Sequence, residues 1–164
     1  MTRPILSFRQ LLLLGAIVAL SLLGFAYLLE HFEKLNPCPL CLLQRYVLWV
    51  MVLVMVLGGS LPLKRIAQLG FGFGVILLAM LGALLAGRQV WLQQLPMDQI
   101  PPCTAGLSRL LSYHSVPETL KMVLTSSGEC GVVDYRLLGL SLAVWSLFAF
   151  IGFIVLGIIT LNKR

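Results

Sequence analysis

Four cysteines are the residues of this 164-residue chain whose types and spacing best suit a chemical role: Cys38, Cys41, Cys103 and Cys130. Cysteine thiolates attack disulfide bonds, and a short C-x-x-C pair is typical of proteins that exchange disulfides. Four cysteines permit three pairings, of which the C-x-x-C spacing favours Cys38 with Cys41 and leaves Cys103 with Cys130. The sequence therefore predicts two redox pairs.

Two non-catalytic interpretations of these cysteines compete with exchange. A disulfide between Cys103 and Cys130 would brace a long loop by about a few kcal/mol, whereas the ring closed by Cys38 and Cys41 is too small to restrict the unfolded chain much. A structural zinc site is the second alternative, but only one C-x-x-C is present and the other two cysteines are far apart. A role in disulfide exchange is favoured, and a structural disulfide that braces the loop remains the main non-catalytic alternative.

Arg45 lies four residues after Cys41, hence on the same helical face one turn deeper. Cys41 is expected near a helix start, where free N–H groups and the helix dipole favour a thiolate. A cation just inside a membrane span is costly and suggests a function, although a terminal arginine can also extend to the lipid headgroups. We predict that Arg45 stabilises a Cys41 thiolate or binds a polar oxygen of a membrane-soluble ligand.

The elements that hold these residues are predicted from composition, since 59% of the residues are hydrophobic and only 11% are charged. Such values lie outside the range of soluble domains and favour a bilayer. Four apolar stretches approach the ~20 residues that cross a membrane, at about 11–29, 42–57, 66–86 and 137–161. The first lacks a cleavage signal and is expected to be a retained span. We predict a single all-α integral membrane domain, a four-transmembrane-helix bundle.

The positions of the charged residues predict the orientation of the bundle. The segments before the first span, between the second and third, and after the fourth contain basic residues and no acidic ones. Loops 30–41 and 88–136 contain all six acidic residues and all four cysteines. The positive-inside rule places both termini in the cytoplasm and these two loops outside, in an oxidising compartment. Because topology explains half of the basic residues, the net charge of +6 gives no reason to expect nucleic-acid binding.

The second outer loop contains the signature of a short helix. Ser115 is followed by Glu118 at capping-box spacing, and Leu120, Val123 and Leu124 then mark one apolar face. A short helix next to a bilayer can lie in the interface with its apolar face down. We predict such an interfacial helix within loop 88–136.

A redox pair that turns over must pass its electrons to an acceptor, and the chain has no haem, flavin or iron–sulfur motif. A lipid-soluble quinone is the simplest acceptor, bound near Cys41 and Arg45 at the outer ends of the spans. Gln44 and Tyr46 are possible hydrogen-bond donors to it, or ordinary packing residues.

At the segment Pro37 to Tyr46, PCPLCLLQRY, the sequence resembles the signature of the DsbB family of bacterial inner-membrane disulfide oxidoreductases. The resemblance covers nearly the whole chain, including the two further cysteines in the second outer loop. It implies that a reduced thioredoxin-fold oxidant of the DsbA type attacks Cys103, and that Cys130 then exchanges with Cys38. It also implies that Cys41, released as a thiolate beside Arg45, passes electrons to ubiquinone or menaquinone.

One position departs from the pattern of some relatives, which place a histidine where this chain has Gln89. Glutamine cannot exchange a proton as imidazole does, so the resemblance does not supply an acid–base group for quinone reduction. His31 and His114, the only two histidines, are interpreted as ordinary loop residues.

Three other functions compete with this one. A thiol and quinone enzyme similar to vitamin K epoxide reductase usually has its C-x-x-C after the loop pair, whereas here it comes first. An importer of reducing equivalents is expected to have cysteines inside its spans. A disulfide-braced membrane subunit would tolerate the loss of Cys38 and the replacement of Arg45 by lysine.

Overall fold

The computed structural model describes residues 7–34, 37–62, 64–100, 102, 115–125, 128–131, 133 and 135–162. Four of its helices are long and apolar enough to cross a membrane: α1 (Phe8–Glu33), α2 (Pro39–Ser60), α3 (Arg65–Leu92) and α5 (Leu142–Asn162). A shorter helix, α4 (Val116–Thr125), and two 3-10 turns, Met97–Gln99 and Gly128–Gly131, lie in the connection between α3 and α5. The chain is an integral membrane protein with four transmembrane helices, as the composition predicts.

The helices pack unevenly around the core. α3 and α5 make the most extensive contact, α1 packs on α2, and α2 packs on α3, whereas α1 and α5 touch only sparsely. Gly82 of α3 lets the ring of Phe150 on α5 approach the helix backbone closely, because a Cβ at that position would overlap the ring. The close α3–α5 contact therefore depends on a small residue, as is common between membrane helices.

The outer surface of the bundle is apolar over most of its length, with many exposed leucine, isoleucine and valine side chains. Aromatic residues with a polar tip cluster towards the end where α1 ends and α2 begins, which we call the cysteine end. These exposed residues are Tyr27, Tyr46, Trp49, Trp91 and Trp145. Tyrosine and tryptophan favour the headgroup level of a bilayer, so this belt agrees with a membrane boundary near the cysteine end.

The start of α1 and the end of α2 are fixed by polar contacts at the end of the bundle opposite the cysteines. Ser7 and Gln10 form a reciprocal capping box at the start of α1. Arg9 donates from Nε to the carbonyl of Gly59 at 2.8 Å and from Nη2 to that of Ser60 at 2.9 Å. This arginine satisfies carbonyls that the end of α2 would otherwise leave without a donor.

The fourth span begins later than the sequence predicted, at Leu142 rather than at residue 137. A two-stranded antiparallel hairpin, β1 (Arg136–Leu137) and β2 (Leu140–Ser141), occupies the residues before it. Its turn residues Leu138 and Gly139 have φ values of 52° and 84°, as a tight hairpin requires. Hydropathy missed this element because its leucines extend the apolar run of the helix.

The predicted short helix of the second outer loop is present as α4. The Ser115 backbone N–H and hydroxyl both donate to Glu118 Oε2, at 3.2 and 2.9 Å, and the first of these bonds is the Glu118 half of the predicted capping box. Thr119 and Val123 are buried and face the bundle, whereas Leu120 is exposed. Part of the predicted apolar face therefore packs on protein, and the contact of α4 with the interface stays a prediction.

Candidate redox site

The first cysteine pair lies at the start of α2. Pro39 is the first helical residue and Cys38 is the N-cap, whose Sγ accepts a hydrogen bond from the backbone N–H of Cys41 at 3.4 Å. The two sulfur atoms are 3.0 Å apart. The sequence prediction placed the helix start at Cys41, but α2 begins earlier. The free N–H group at the helix start is consequently aimed at Cys38 rather than at Cys41.

Cys130 reaches the first pair from the second outer loop. It lies in the turn Gly128–Gly131, is only 1% exposed, and interacts with Cys38. Gly131 allows this turn to pack on the end of α3, since a Cβ there would lie 3.3 Å from the carbonyl oxygen of Leu92. The hydrogen bond with Cys130 and burial raise the pKa of Cys38 to about 12, despite the opposing contact with Cys41. In this arrangement Cys38 is a neutral thiol at pH 7.

Two buried amides connect α2 and α3 beside the sulfur atoms. Gln44 donates from Nε2 to Oε1 of Gln89 at 2.9 Å, and each residue is 5% exposed. Gln89 in turn directs its Nε2 at both sulfur atoms, 3.2 Å from Cys41 Sγ and 3.6 Å from Cys38 Sγ. Besides the Cys38 thiol, the side chain that donates to Cys41 Sγ is therefore an amide of α3 and not Arg45.

Arg45 is held by residues of α1. Its Nη1 lies 2.7 Å from Oε2 of Glu30, and its guanidinium carbon lies 4.9 Å from the ring centre of Tyr27. Both members of the ion pair are largely buried, and Oε1 of Glu30 has no hydrogen-bond partner among the described residues. Arg45 therefore does not extend freely to the headgroups, which was the alternative to a functional role.

A cavity of about 850 Å³ adjoins the sulfur atoms. α1 and α5 form most of its wall, from Leu11 to Glu30 on one side and from Leu142 to Leu156 on the other, and the exposed area of its lining is mainly apolar. Polar and thiol groups gather at its cysteine end: Cys38, Cys41, Gln44, Arg45, Gln89 and Cys130. The cavity follows the gap where α1 and α5 touch only sparsely.

The structure brings together four of the five residues predicted for the site: Cys38, Cys41, Cys130 and Arg45 all line this cavity. Cys103 and His114 lie outside the described residues. Of the two possible donors, Gln44 faces the cavity, whereas Tyr46 is 61% exposed and does not line it. His31 lies in the last turn of α1 and not in a loop as predicted, where it is exposed and contacts Phe32.

Sequence reasoning missed the contacts of Gln89 and Glu30. Gln89 was noticed only as a residue unable to exchange protons, and nothing in its neighbourhood in the sequence indicates that it approaches Cys41. Glu30 had a detectable signal, because it is one of two acidic residues near the end of the helix that pairs with α2, on the side where Arg45 lies. A buried cation in a short helical hairpin is expected to find such a partner.

Comparison with known proteins gives one consistent family. Residues 8–160 match the family described as Disulfide bond formation protein DsbB. Disulfide bond formation protein B of Hahella chejuensis is 41% identical over 133 residues, which are 81% of each chain. The protein of that name from Acinetobacter baumannii is 42% identical over 86% of this chain and 81% of its own. Disulfide bond formation protein B 1 of Pseudomonas aeruginosa is 34% identical over 98% of this chain and 99% of its own.

Proposed function

Because the chain belongs to the DsbB family of disulfide bond formation proteins, we propose that it re-oxidises a periplasmic thiol oxidant of the DsbA type and passes the two electrons to a membrane quinone. The observation that best supports this is the position of Cys38 and Cys41 at the polar end of an otherwise apolar cavity. A redox pair so placed faces both Cys130 of the outer loop and a ligand dissolved in lipid.

The chemistry of the cavity fits a quinone. Its long apolar wall suits an isoprenoid tail, and Arg45 and Gln44 at the cysteine end provide donors for a carbonyl oxygen. When bound, a quinone would supply an acceptor for two electrons and two protons. Arg45, already fixed by Glu30, would orient a polar head and exclude water from the sulfur atoms.

The position of Cys130 supports the order of thiol exchange. In the proposed sequence the partner attacks Cys103 of a Cys103–Cys130 disulfide, and Cys130 is released as a thiolate. Cys130 then attacks Cys38 Sγ, the Cys38–Cys41 bond breaks, and Cys41 leaves with the electron pair. Cys130 interacts with Cys38, and Cys38 stands next to Cys41, which is the order that this exchange needs.

We propose the bacterial inner membrane as the location, with both termini in the cytoplasm and the cysteine end in the periplasm. The distribution of basic and acidic residues supports this orientation. Addition of an impermeant maleimide to cells or spheroplasts tests it. Cys103 should react from outside once the protein is reduced, whereas cysteines introduced beyond Asn162 should react only after the membrane is opened.

A quinone-reduction assay tests the whole proposal. Purified protein in detergent receives a reduced DsbA-type partner and a short-chain ubiquinone or menaquinone, and the loss of quinone absorbance is followed. We expect turnover in wild type and none in Cys41→Ser. Tyr46→Phe is a matched control, because this neighbour on α2 is exposed and does not line the cavity.

The outcomes of this assay separate the proposal from its main alternative. Turnover retained in Cys38→Ser would support a structural brace and contradict catalysis. A folded wild-type protein that reduces neither quinone would exclude the quinone as acceptor.

A further inference from the structure

Gln44 and Gln89 are an unusual pair in this bundle. They are two of only four buried polar or charged residues among those that the structure describes, and the other two, Thr119 and Thr160, do not line the cavity. Burying an amide in an apolar interior is unfavourable unless its donors and acceptors are satisfied. One hydrogen bond joins the two amides across the two helices, and Gln89 directs its own amide nitrogen at sulfur.

In the structure the hydrogen bonds orient Gln89 with its amide nitrogen towards the cysteines. Gln44 donates its Nε2 to Oε1 of Gln89 at 2.9 Å. Gln89 therefore presents its Nε2, a donor, to Cys41 Sγ at 3.2 Å. If Gln89 alone were flipped, its amide nitrogen would face the nitrogen of Gln44, and two donors would oppose each other.

The sulfur that receives this donor is the one that must leave in the proposed exchange. Cys130 interacts with Cys38, and the interactions found for Cys41 involve Cys38 and Gln89 but not Cys130. When the Cys130–Cys38 bond forms and the Cys38–Cys41 bond breaks, the electron pair goes to Cys41 Sγ as a thiolate. An N–H donor 3.2 Å from that atom stabilises the negative charge as it develops there.

We propose that Gln89 is a catalytic residue that stabilises the leaving thiolate of Cys41 in disulfide exchange, and that Gln44 is the positioning residue that orients it. This inference rests on the proposed function, since it assigns roles within the same exchange reaction. It differs from the role predicted for Arg45, whose charge is directed at Glu30. A neutral amide suits this position because it adds no further buried charge.

The test measures how fast the Cys38–Cys41 disulfide is opened by reduced glutathione in purified, oxidised protein, without quinone and without a partner. Acid quenching, alkylation and mass spectrometry of the peptide that contains both cysteines report its redox state. Gln89→Met keeps the length and apolar volume of the side chain but removes the donor. Gln89→His keeps an N–H donor but changes the shape.

We expect Gln89→Met to slow opening on the order of tenfold, as the loss of one hydrogen bond to a charged group implies. We expect Gln44→Met to slow it by a smaller factor, and Gln89→His to stay within about threefold of wild type because a donor is retained. A purely structural role predicts the opposite order, since methionine packs well in an apolar site and imidazole does not. Thr160→Val, which removes a buried hydroxyl at the opposite end of the bundle, should leave the rate unchanged.

Equal opening rates in wild type and Gln89→Met, with both proteins folded, would overturn the inference, as would opening that is slower in Gln89→His than in Gln89→Met. The quinone assay separates this result from the proposed function. If glutathione opens the Cys38–Cys41 disulfide of the wild-type protein but no quinone is reduced, only the proposed electron acceptor is contradicted. If quinone is reduced but the disulfide opens equally fast in wild type and Gln89→Met, only the role of Gln89 is contradicted.

Discussion

Arg45 and Glu30 form an ion pair between α2 and α1, with Nη1 and Oε2 2.7 Å apart and both side chains largely buried. The pair joins the two helices at the cysteine end, next to the cavity. It also explains how a cation is tolerated inside a membrane span, because its charge is balanced by the adjacent helix. The second carboxylate oxygen of Glu30 is buried and has no protein donor among the described residues.

Loss of the carboxylate should therefore destabilise the α1–α2 hairpin. Glu30→Gln leaves the Arg45 charge without its partner, and we expect the free energy of unfolding to fall by about 1–3 kcal/mol. Denaturant unfolding in a fixed detergent measures this effect. Arg45→Met alone and the double variant Glu30→Gln/Arg45→Met complete a double-mutant cycle. If the double variant loses as much unfolding free energy as the two single variants together, the two side chains are not energetically coupled.

The close contact of α3 and α5 should not tolerate a larger residue at its centre. Gly82→Ala places a methyl group against the buried ring of Phe150, and we expect a loss of about 1–3 kcal/mol in stability. The thermal midpoint in detergent is the measurement. Gly87→Ala on the same helix meets no atom within 4 Å and should leave the midpoint unchanged or slightly higher.

Removal of Cys130 should change the ionisation of Cys38. The hydrogen bond with Cys130 is the largest cause of the raised pKa of Cys38, so Cys130→Ala should lower that pKa and form the thiolate at lower pH. The measurement is the pH dependence of Cys38 alkylation in reduced protein, located by fragmentation of the labelled peptide. The midpoint should move down in the variant, and a midpoint that moves up would contradict the contact.

The arrangement of the three described cysteines predicts which mixed disulfide can be trapped. In Cys41→Ala, with Cys103 also replaced by alanine in both variants, no other thiol competes for Cys38 or Cys130, so mild oxidation should link Cys38 to Cys130. In Cys38→Ala, Cys41 should link to Cys130 much less, because the contact of Cys130 is with Cys38. Mass spectrometry of digested, unreduced protein distinguishes the two cross-links. Equal yields in both variants would mean that Cys130 has no preferred neighbour.

The four-helix architecture could be predicted from the sequence because a helix that crosses a bilayer needs a long run of apolar residues. A span needs a long apolar run, and each of the four runs found by hydropathy is a helix in the structure. The exact ends of the spans were harder to predict from the sequence. Arg136 to Ser141 folds as a hairpin although its leucines read as a continuation of α5, since the turn depends on backbone angles at Leu138 and Gly139 that hydropathy does not encode.

The site was predictable where its residues are close in sequence and unpredictable where they are not. Cys38, Cys41 and Arg45 lie within two turns of each other, so helix periodicity relates them directly. Gln44 and Gln89 are 45 positions apart and meet only because α2 packs on α3 with one register. No pattern in one sequence reveals that register, and the contact of Gln89 with sulfur was missed for this reason.

The sparse contact between α1 and α5 has a consequence for how a ligand meets the sulfur atoms. Several residues that line the cavity, among them Val18, Phe25 and Phe148, are also exposed on the side of the bundle, so the cavity is open laterally. A molecule already dissolved in the hydrocarbon would arrive by two-dimensional diffusion and would not have to leave the lipid to bind. Its concentration at the site would then follow its partition coefficient, and the length of its tail would matter as much as the chemistry of its head.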